Sequence, residues 1–373
     1  MTVADKKQKD SKLAVVAAGG TGGHMFPAEA LARELIDRGW RIVLASDTRG
    51  AIYAENFPAI ERLSLEAATF KRGDIIGMIR AGIKIATGVL QARKAFARLK
   101  PDAVIGFGGY PSYPALIAAI TRSDTTLIHE QNSVLGRSNR ELVTRVDAVA
   151  CAFPTLKMAP EALTGKVEVV GNPVRPDIRA LYDKPYPDSF KPIRILVTGG
   201  SQGAKILSET VPQALALLPA SLRISLSVEQ QTRAEQVDQA KVIYAEAGIE
   251  SDIAPFFTNM AQRLERAHLV IGRAGASTCC ELAVAGKPSV LIPLKIAADN
   301  HQFFNAEVLK EAGGAVVINE DDADAETLAE AIKTLIDQPV RLKGMAVCAR
   351  SVARADAAKR LADLVERTVA KKV

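Results

Sequence analysis

The chain has 373 residues, 48% hydrophobic and 24% charged, enough for two ordinary globular domains and too evenly mixed for a disordered or fibrous protein. No apolar run approaches the ~20 residues of a membrane-spanning helix, and the polar start "MTVADKKQKDSK" has no signal core, which argues against secretion. Four cysteines without metal spacing or a disulfide framework (Cys151, Cys279, Cys280, Cys348) fit a reducing cytoplasm, and the net charge is +6.

Along the chain, "KLAVVAA", "RIVLAS", "PDAVIGF", "TTLIHEQ" and "VDAVACAF" read as strands, with helical stretches at 27–38, 75–99 and 113–121 between them. The strand segments are continuously apolar rather than alternating, which suits a parallel sheet covered on both faces. The 75–99 helix lies in a basic stretch: from Lys71 to Lys100 eight basic residues face one acid, Asp74, a local surplus larger than the whole chain's. That concentration points to an anionic surface as partner and away from nucleic acid. Ile76, Ile79, Ile83 and Leu90 form one helical stripe, with Arg80, Lys84, Arg93 and Lys94 placed beside or beyond it. An interfacial helix on anionic lipid has this pattern; a core-facing helix with a solvated basic face is the alternative.

"GNPVRPDIRALYDKPYPDSFKPIR" carries five prolines and reads as a linker. The pattern then restarts. "IRILVTGGSQGAKIL" is again strand, glycine turn and helix, and "LRISLSVE", "AHLVIGRAG" and "PSVLIPL" supply further strands. The expected fold is α/β: two Rossmann-like, doubly wound domains facing a cleft at the carboxyl ends of both sheets. The boundaries expected are 1–172 and 173–345, with a C-terminal helix at 346–373 packing back on the first domain.

The first strand of each half ends in a double glycine, Gly19-Gly20 and Gly199-Gly200. Such a turn lets backbone N–H groups approach an anion, and the following helix adds its positive dipole end. A tight turn without a ligand is the simpler alternative. No Walker loop is present, because neither turn is followed by Gly-Lys-Ser/Thr. Gly20-Thr21-Gly22 supplies half of a dinucleotide fingerprint, but Met25 stands at the third glycine position. A nicotinamide-dependent oxidoreductase with Asp47 on the ribose therefore stays open on this loop alone. "GRAGASTCCE" follows a strand and opens a helix. Ser277 or Thr278 can cap it, and Glu281 lies where a carboxylate can accept from two sugar hydroxyls or simply cap the helix. "GNPVR" puts Arg175 near the hinge, and "DNHQ" offers a dense set of sugar-bonding groups.

In order, "GGTGGH", "GGYPSYPA", "HEQN", "GNPVR", "GGSQGA", "RAGASTCCE" and "DNHQ" resemble the motifs of the MurG family over nearly the whole chain. The resemblance implies the GT-B glycosyltransferase fold. It also implies inverting transfer of N-acetylglucosamine from UDP-N-acetylglucosamine to the 4-hydroxyl of an undecaprenyl-diphosphate-linked N-acetylmuramoyl pentapeptide, in peptidoglycan synthesis. The expected location is peripheral, on the cytoplasmic face of the inner membrane. A related transferase acting on another lipid acceptor, such as diacylglycerol, is the nearer alternative. By motif match, Thr21, Gly22 and Gly23 would face the transferred sugar and acceptor, and Asn132 the donor sugar. Arg175 and Ser201 would reach the donor phosphate or its surroundings, and Gln202 would belong to the donor site. Ala276, Ser277, Thr278 and Glu281 would hold the nucleotide, His301 and Gln302 the sugar hydroxyls, and Phe257 the uracil through its backbone.

Inverting transfer needs a base for the attacking alcohol, and imidazole suits neutral pH. His24, at the mouth of the first loop, is the candidate. Glu130 is a rival base or an orienting partner, and His24 as a loop-orienting residue is the alternative. His129 fits a satisfied strand-end residue and His268 a structural one. No Asp-x-Asp motif suited to a metal-bound diphosphate is present, so neither metal nor cofactor is expected.

Overall fold

Strand β1 (Leu13–Ala17) is apolar at every position and fully buried. It lies mid-sheet, paired in parallel with β2 (Arg41–Ser46) on one side and β4 (Ala103–Gly106) on the other. Both its faces are therefore covered by helices, and alternation would serve no purpose. The computed structural model describes residues 11–20, 22–47, 57–68, 75–163, 165–200 and 203–372.

The chain divides into two units, Met1–Arg175 with Asp356–Val373, and Pro176–Ala355. The first holds a seven-stranded sheet in the order β3-β2-β1-β4-β5-β6-β7. Its remaining strands are β3 (Glu61–Ser64), β5 (Thr126–Glu130), β6 (Ala148–Cys151) and β7 (Val167–Val169). Helices α1 (Gly22–Asp37), α2 (Ile75–Leu99), α3 (Ser112–Ile120) and α4 (Arg137–Leu142) follow in chain order. The helix expected at 27–38 begins at Gly22, because Pro27 sits inside the helix instead of opening it.

The second unit holds a six-stranded sheet in the order β10-β9-β8-β11-β12-β13. These strands are β8 (Ile193–Thr198), β9 (Leu226–Gln231), β10 (Glu250–Ala254), β11 (Leu269–Gly272), β12 (Ser289–Leu291) and β13 (Ala315–Val317). Its helices are α5 (Lys205–Ala216), α6 (Val237–Glu246), α7 (Met260–Arg266), α8 (Ala276–Ala285), α9 (His301–Glu311), α10 (Ala325–Ile336) and α11 (Pro339–Ser351). All pairings in both sheets are parallel, and each order reverses beside its first strand, at β1/β4 and β8/β11. Crevices at such reversals lie at the carboxyl ends of the strands, where α/β proteins bind ligands.

The helical end of the chain is not one helix. Residues 346–355 stay with the second unit: α11 packs on α8, and Arg350 donates to the carbonyls of Lys184 (2.8 Å) and Ala285 (3.3 Å). Only α12 (Ala357–Ala370) joins the first unit. It lays Leu361, Ala362, Leu364, Val365 and Val369 into the core formed with α1 and β1. Arg38 on the turn after α1 grips Asp363 (2.6 Å) and Glu366 (2.8 Å), and Trp40 Nε1 donates to Glu366 (3.1 Å).

Helix α2 has two faces. Ala81, Gly88, Ala92 and Phe96 are buried toward α3 and the sheet. Ile76, Ile79, Ile83 and Leu90 point the other way and are 60–67% exposed. The stripe expected from the sequence is thus outside the core. Lys71, Arg72 and Asp74 lie outside the described residues. No helix among the described residues is long and apolar enough to cross a membrane.

Candidate active site

In the first unit, the loops after β1 and β4 interlock so tightly that glycine is required. A Cβ on Gly19 would stand 2.5 Å from Pro111 Cγ, and one on Gly109 would stand 2.9 Å from the Gly19 carbonyl oxygen. Gly108 and Gly109 also have φ of +80° and +75°, a region that costs other L-residues roughly 1–2 kcal/mol. Ser112 fastens the turn; its one hydroxyl proton is shared between the carbonyls of Ala17 (2.7 Å) and Gly108 (2.6 Å). His24, in the first turn of α1, lies against this floor. Cβ atoms placed on Gly108 and Gly109 would be 3.4 and 3.5 Å from its Cε1 and Cδ2.

The end of β5 supplies the second wall. His24 Nδ1 is 3.1 Å from Gln131 Oε1, Gln131 Nε2 is 3.0 Å from His129 Nδ1, and His129 Nε2 is 2.9 Å from the Gly171 carbonyl. His129 is fully buried against Phe107, and burial pushes its pKa down to about 4, helped by the nearby His24. Its ring is neutral at physiological pH. Glu130 is also buried, with both oxygens engaged. Oε1 accepts from the Asn132 amide (3.0 Å) and side chain (3.3 Å), and Oε2 from the Gly136 amide (2.9 Å) and Asn139 Nδ2 (2.8 Å). Four donors organise the 130–139 loop around this carboxylate. Asn132 is thereby set at the rim of the same strand end, partly exposed. Arg175 lies over the Phe26 ring, 5.5 Å from its centroid. Gly22 and Gly23 are the first residues of α1; Thr21 lies outside the described residues.

In the second unit, a Cβ on Gly199 would meet the Ala204 amide at 2.4 Å, and Gly200 and Gly203 have φ of +77° and +65°. Ser201 and Gln202, between them, lie outside the described residues. Helix α8 starts at Ala276 after an extended Gly275, so its first amides open toward the carboxyl end of β11. Ser277 Oγ is buried there and meets no hydrogen-bond partner among the described residues. Ala276 is buried, while Thr278 and Glu281 are partly exposed on the first turns. Gln302 Oε1 accepts from the Leu294 amide (3.1 Å), and His301 Nδ1 donates to the Ala298 carbonyl (2.8 Å). Both are tied to the loop after β12 through their own side chains. Phe257 is buried beneath Arg263, whose guanidinium lies 3.6 Å from the ring centroid, so its side chain is already covered on that face.

The motifs give no role to several residues with a structural part in these sites, Gln131 of "HEQN" and Arg273 of "RAGASTCCE" among them. Gln131 joins the two histidines. Arg273, nearly buried, donates to the Ile292 carbonyl (3.0 Å) and Glu320 (2.5 Å), and Glu320 also accepts from the Lys295 amide (2.7 Å). It braces the loops after β11, β12 and β13. Asn305 donates to the Ala274 carbonyl (3.2 Å), tying α9 to the start of α8. Their roles depend on long-range partners, which local spacing does not display. His268 is structural: its Nδ1 accepts from the Arg194 amide (2.9 Å), and its Nε2 donates to the Ser189 carbonyl (2.8 Å). Among the described residues no group of three or more His, Cys, Asp or Glu is placed to hold a metal.

Two parallel, doubly wound sheets, each with a glycine turn at its carboxyl edge, give the architecture of a two-domain nucleotide-binding α/β protein. Residues 14–151 match the glycosyltransferase family 28 N-terminal domain and 194–361 the family's C-terminal domain. The chain is 59% identical over 358 residues to the UDP-N-acetylglucosamine--N-acetylmuramyl-(pentapeptide) pyrophosphoryl-undecaprenol N-acetylglucosamine transferase of Caulobacter vibrioides (strain NA1000 / CB15N), covering 96% of this chain and 99% of that protein. It is 58% identical over 359 residues to the same-named enzyme of Phenylobacterium zucineum (strain HLK1), covering 96% and 98%. The crystal structure of Acinetobacter baumannii MurG superposes with a TM-score of 0.79 at 32% identity, covering 96% of this chain and 99% of that one. The chain belongs to glycosyltransferase family 28 and, within it, to the MurG family of hexosyltransferases. The nicotinamide-dependent alternative finds no support in these relationships.

Proposed function

We propose that this protein transfers N-acetylglucosamine from UDP-N-acetylglucosamine to the 4-hydroxyl of a lipid-linked N-acetylmuramoyl pentapeptide, inverting the anomeric centre. His24 takes the proton of the attacking hydroxyl as the sugar–phosphate bond breaks. The leaving UDP gathers negative charge. The first amides of α8, the glycine turn after β8 and Arg175 neutralise it, as preorganised dipoles and cations do where charge develops. Glu281 accepts from the ribose, Asn132, His301 and Gln302 orient the sugar, and the backbone at Phe257 meets the base. Ser277 Oγ supplies a hydroxyl with a free valence at the helix end. Glu130, with four donors already on it, orders the Asn132 loop rather than competing for the proton.

The observation that carries this reading is the glycine floor that holds the His24 ring at the carboxyl ends of β1 and β4. A base so placed contributes about 10²–10⁴-fold to the rate. Transfer of labelled N-acetylglucosamine to a lipid-linked muramoyl acceptor tests it, with diacylglycerol as a competing acceptor. His24→Ala should lower turnover by that factor with donor binding kept, and Glu281→Ala should weaken donor binding. Near-native turnover of His24→Ala refutes the assignment of the base.

The acceptor carries a lipid, and the exposed side of α2 suits a lipid surface. Ile76, Ile79, Ile83 and Leu90 would enter the head-group boundary while Arg80, Lys84 and Arg93 meet anionic phosphates. The enzyme then works peripherally at the cytoplasmic face of the membrane.

A further inference from the structure

The hydrogen bonds behind His24 have only one consistent set of directions. The Gly171 carbonyl can only accept, so His129 Nε2 carries a proton and donates to it over 2.9 Å. Because burial keeps this ring neutral, its Nδ1 holds a lone pair and must accept. Gln131 Nε2 supplies that proton over 3.0 Å and gives its other one to the His129 carbonyl, also at 3.0 Å. That carbonyl fixes which end of the amide is nitrogen, so the end facing His24 is Oε1. An amide oxygen only accepts. His24 Nδ1, 3.1 Å away, therefore donates.

We propose that Gln131 and His129 are positioning residues that hold His24 in the Nδ1–H tautomer, so that Nε2 keeps the lone pair used in catalysis. This rests on His24 being the base. The acceptor O–H bond breaks and its proton goes to Nε2, giving an imidazolium whose Nδ1–H stays on Gln131 Oε1. The hydroxyl oxygen bonds the anomeric carbon, and the bond from that carbon to the diphosphate breaks, its electron pair leaving with UDP. Gln131 does for His24 what a carboxylate does in a catalytic triad, namely hold the ring and its tautomer. It does so with a neutral amide, itself oriented by a buried neutral imidazole. Gln131 and His129 are 2% and 0% exposed, so water does not compete for these bonds. The Gly108–Gly109 floor restrains the ring from tilting off the chain of bonds.

The tautomer is read directly by long-range ¹H–¹⁵N correlation on ¹⁵N-histidine-labelled native protein. It has only four histidines, and His24→Ala assigns the His24 signals. The expected spectrum of the neutral His24 ring shows Nδ1 protonated and Nε2 bare. Gln131→Met keeps the side-chain length and removes both polar ends. It should populate the Nε2–H form and lower kcat roughly tenfold, as ~1.4 kcal/mol of lost tautomer preference would, with KM for UDP-N-acetylglucosamine unchanged. A native spectrum with Nε2 protonated overturns the proposal even if His24→Ala is inactive. So does a Gln131→Met protein with native tautomer and native kcat. The native measurement needs no variant at position 131 to fold. If His24→Ala itself turns over normally, the base assignment fails first, and that result is distinct from the other two.

Discussion

Acidification should loosen the first unit through His129. In the fold its pKa is held down to about 4 by burial, whereas a solvated histidine titrates near 6.5. The folded state therefore prefers the neutral ring and the unfolded chain takes up the proton first. The resulting stability is complete above pH 6.5 and is lost as the pH falls toward 4. Linkage at about 1.4 kcal/mol per pH unit gives a loss of roughly 2 kcal/mol by pH 5 and roughly 3 kcal/mol by pH 4. The measurement is urea unfolding followed by fluorescence of Trp40, the single tryptophan, which is buried in the first unit and reports on it alone. Asp147, held below its usual range by Lys372 and Thr126 against the cost of burial, also weakens the acid form. Subtracting the same curve for His129→Gln removes that contribution. The difference between native and variant stabilities should shrink by about 2 kcal/mol from pH 7 to pH 5. Parallel curves over that interval would refute the reasoning.

Gly109→Ala puts a Cβ 2.9 Å from the Gly19 carbonyl at a positive φ. It should cost at least about 1–2 kcal/mol and lower turnover more than donor affinity, as steady-state kinetics will show. Leu361→Ala, at a fully buried position of α12, should destabilise the first unit by about 2–5 kcal/mol in the Trp40 unfolding curve, with hydrogen exchange in the second unit unchanged. Ile79→Glu combined with Ile83→Glu should abolish flotation with anionic vesicles while leaving the fold intact by circular dichroism; undiminished flotation removes α2 as the contact.

The central strands of both sheets were legible because being covered on two faces writes a continuous apolar run into the chain. Strands β3 "ERLS", β7 "VEV" and β10 "ESDIA" were not, since they lie on or beside sheet edges, are short, and carry charges there. For α2, the sequence showed an apolar stripe but not its direction. The small residues Ala81, Gly88 and Ala92 decide that, because they let the opposite side approach α3 and the Glu66 carbonyl closely. His24 stood out beside its glycines. Gln131 did not, since its part depends on which way one amide faces across a loop contact, and no local pattern encodes that. The end of α11 was assigned to the wrong unit for a similar reason. Arg350 finds its carbonyls 65 and 166 residues away.

Because α12 closes the core against α1, β1 and β6, the opening half of the polypeptide is unfinished when it leaves the ribosome. All of Pro176–Ala355 must be synthesised before the helix that seals it emerges. The nascent chain therefore carries an open apolar seam, a natural footing for chaperones, through much of its own translation.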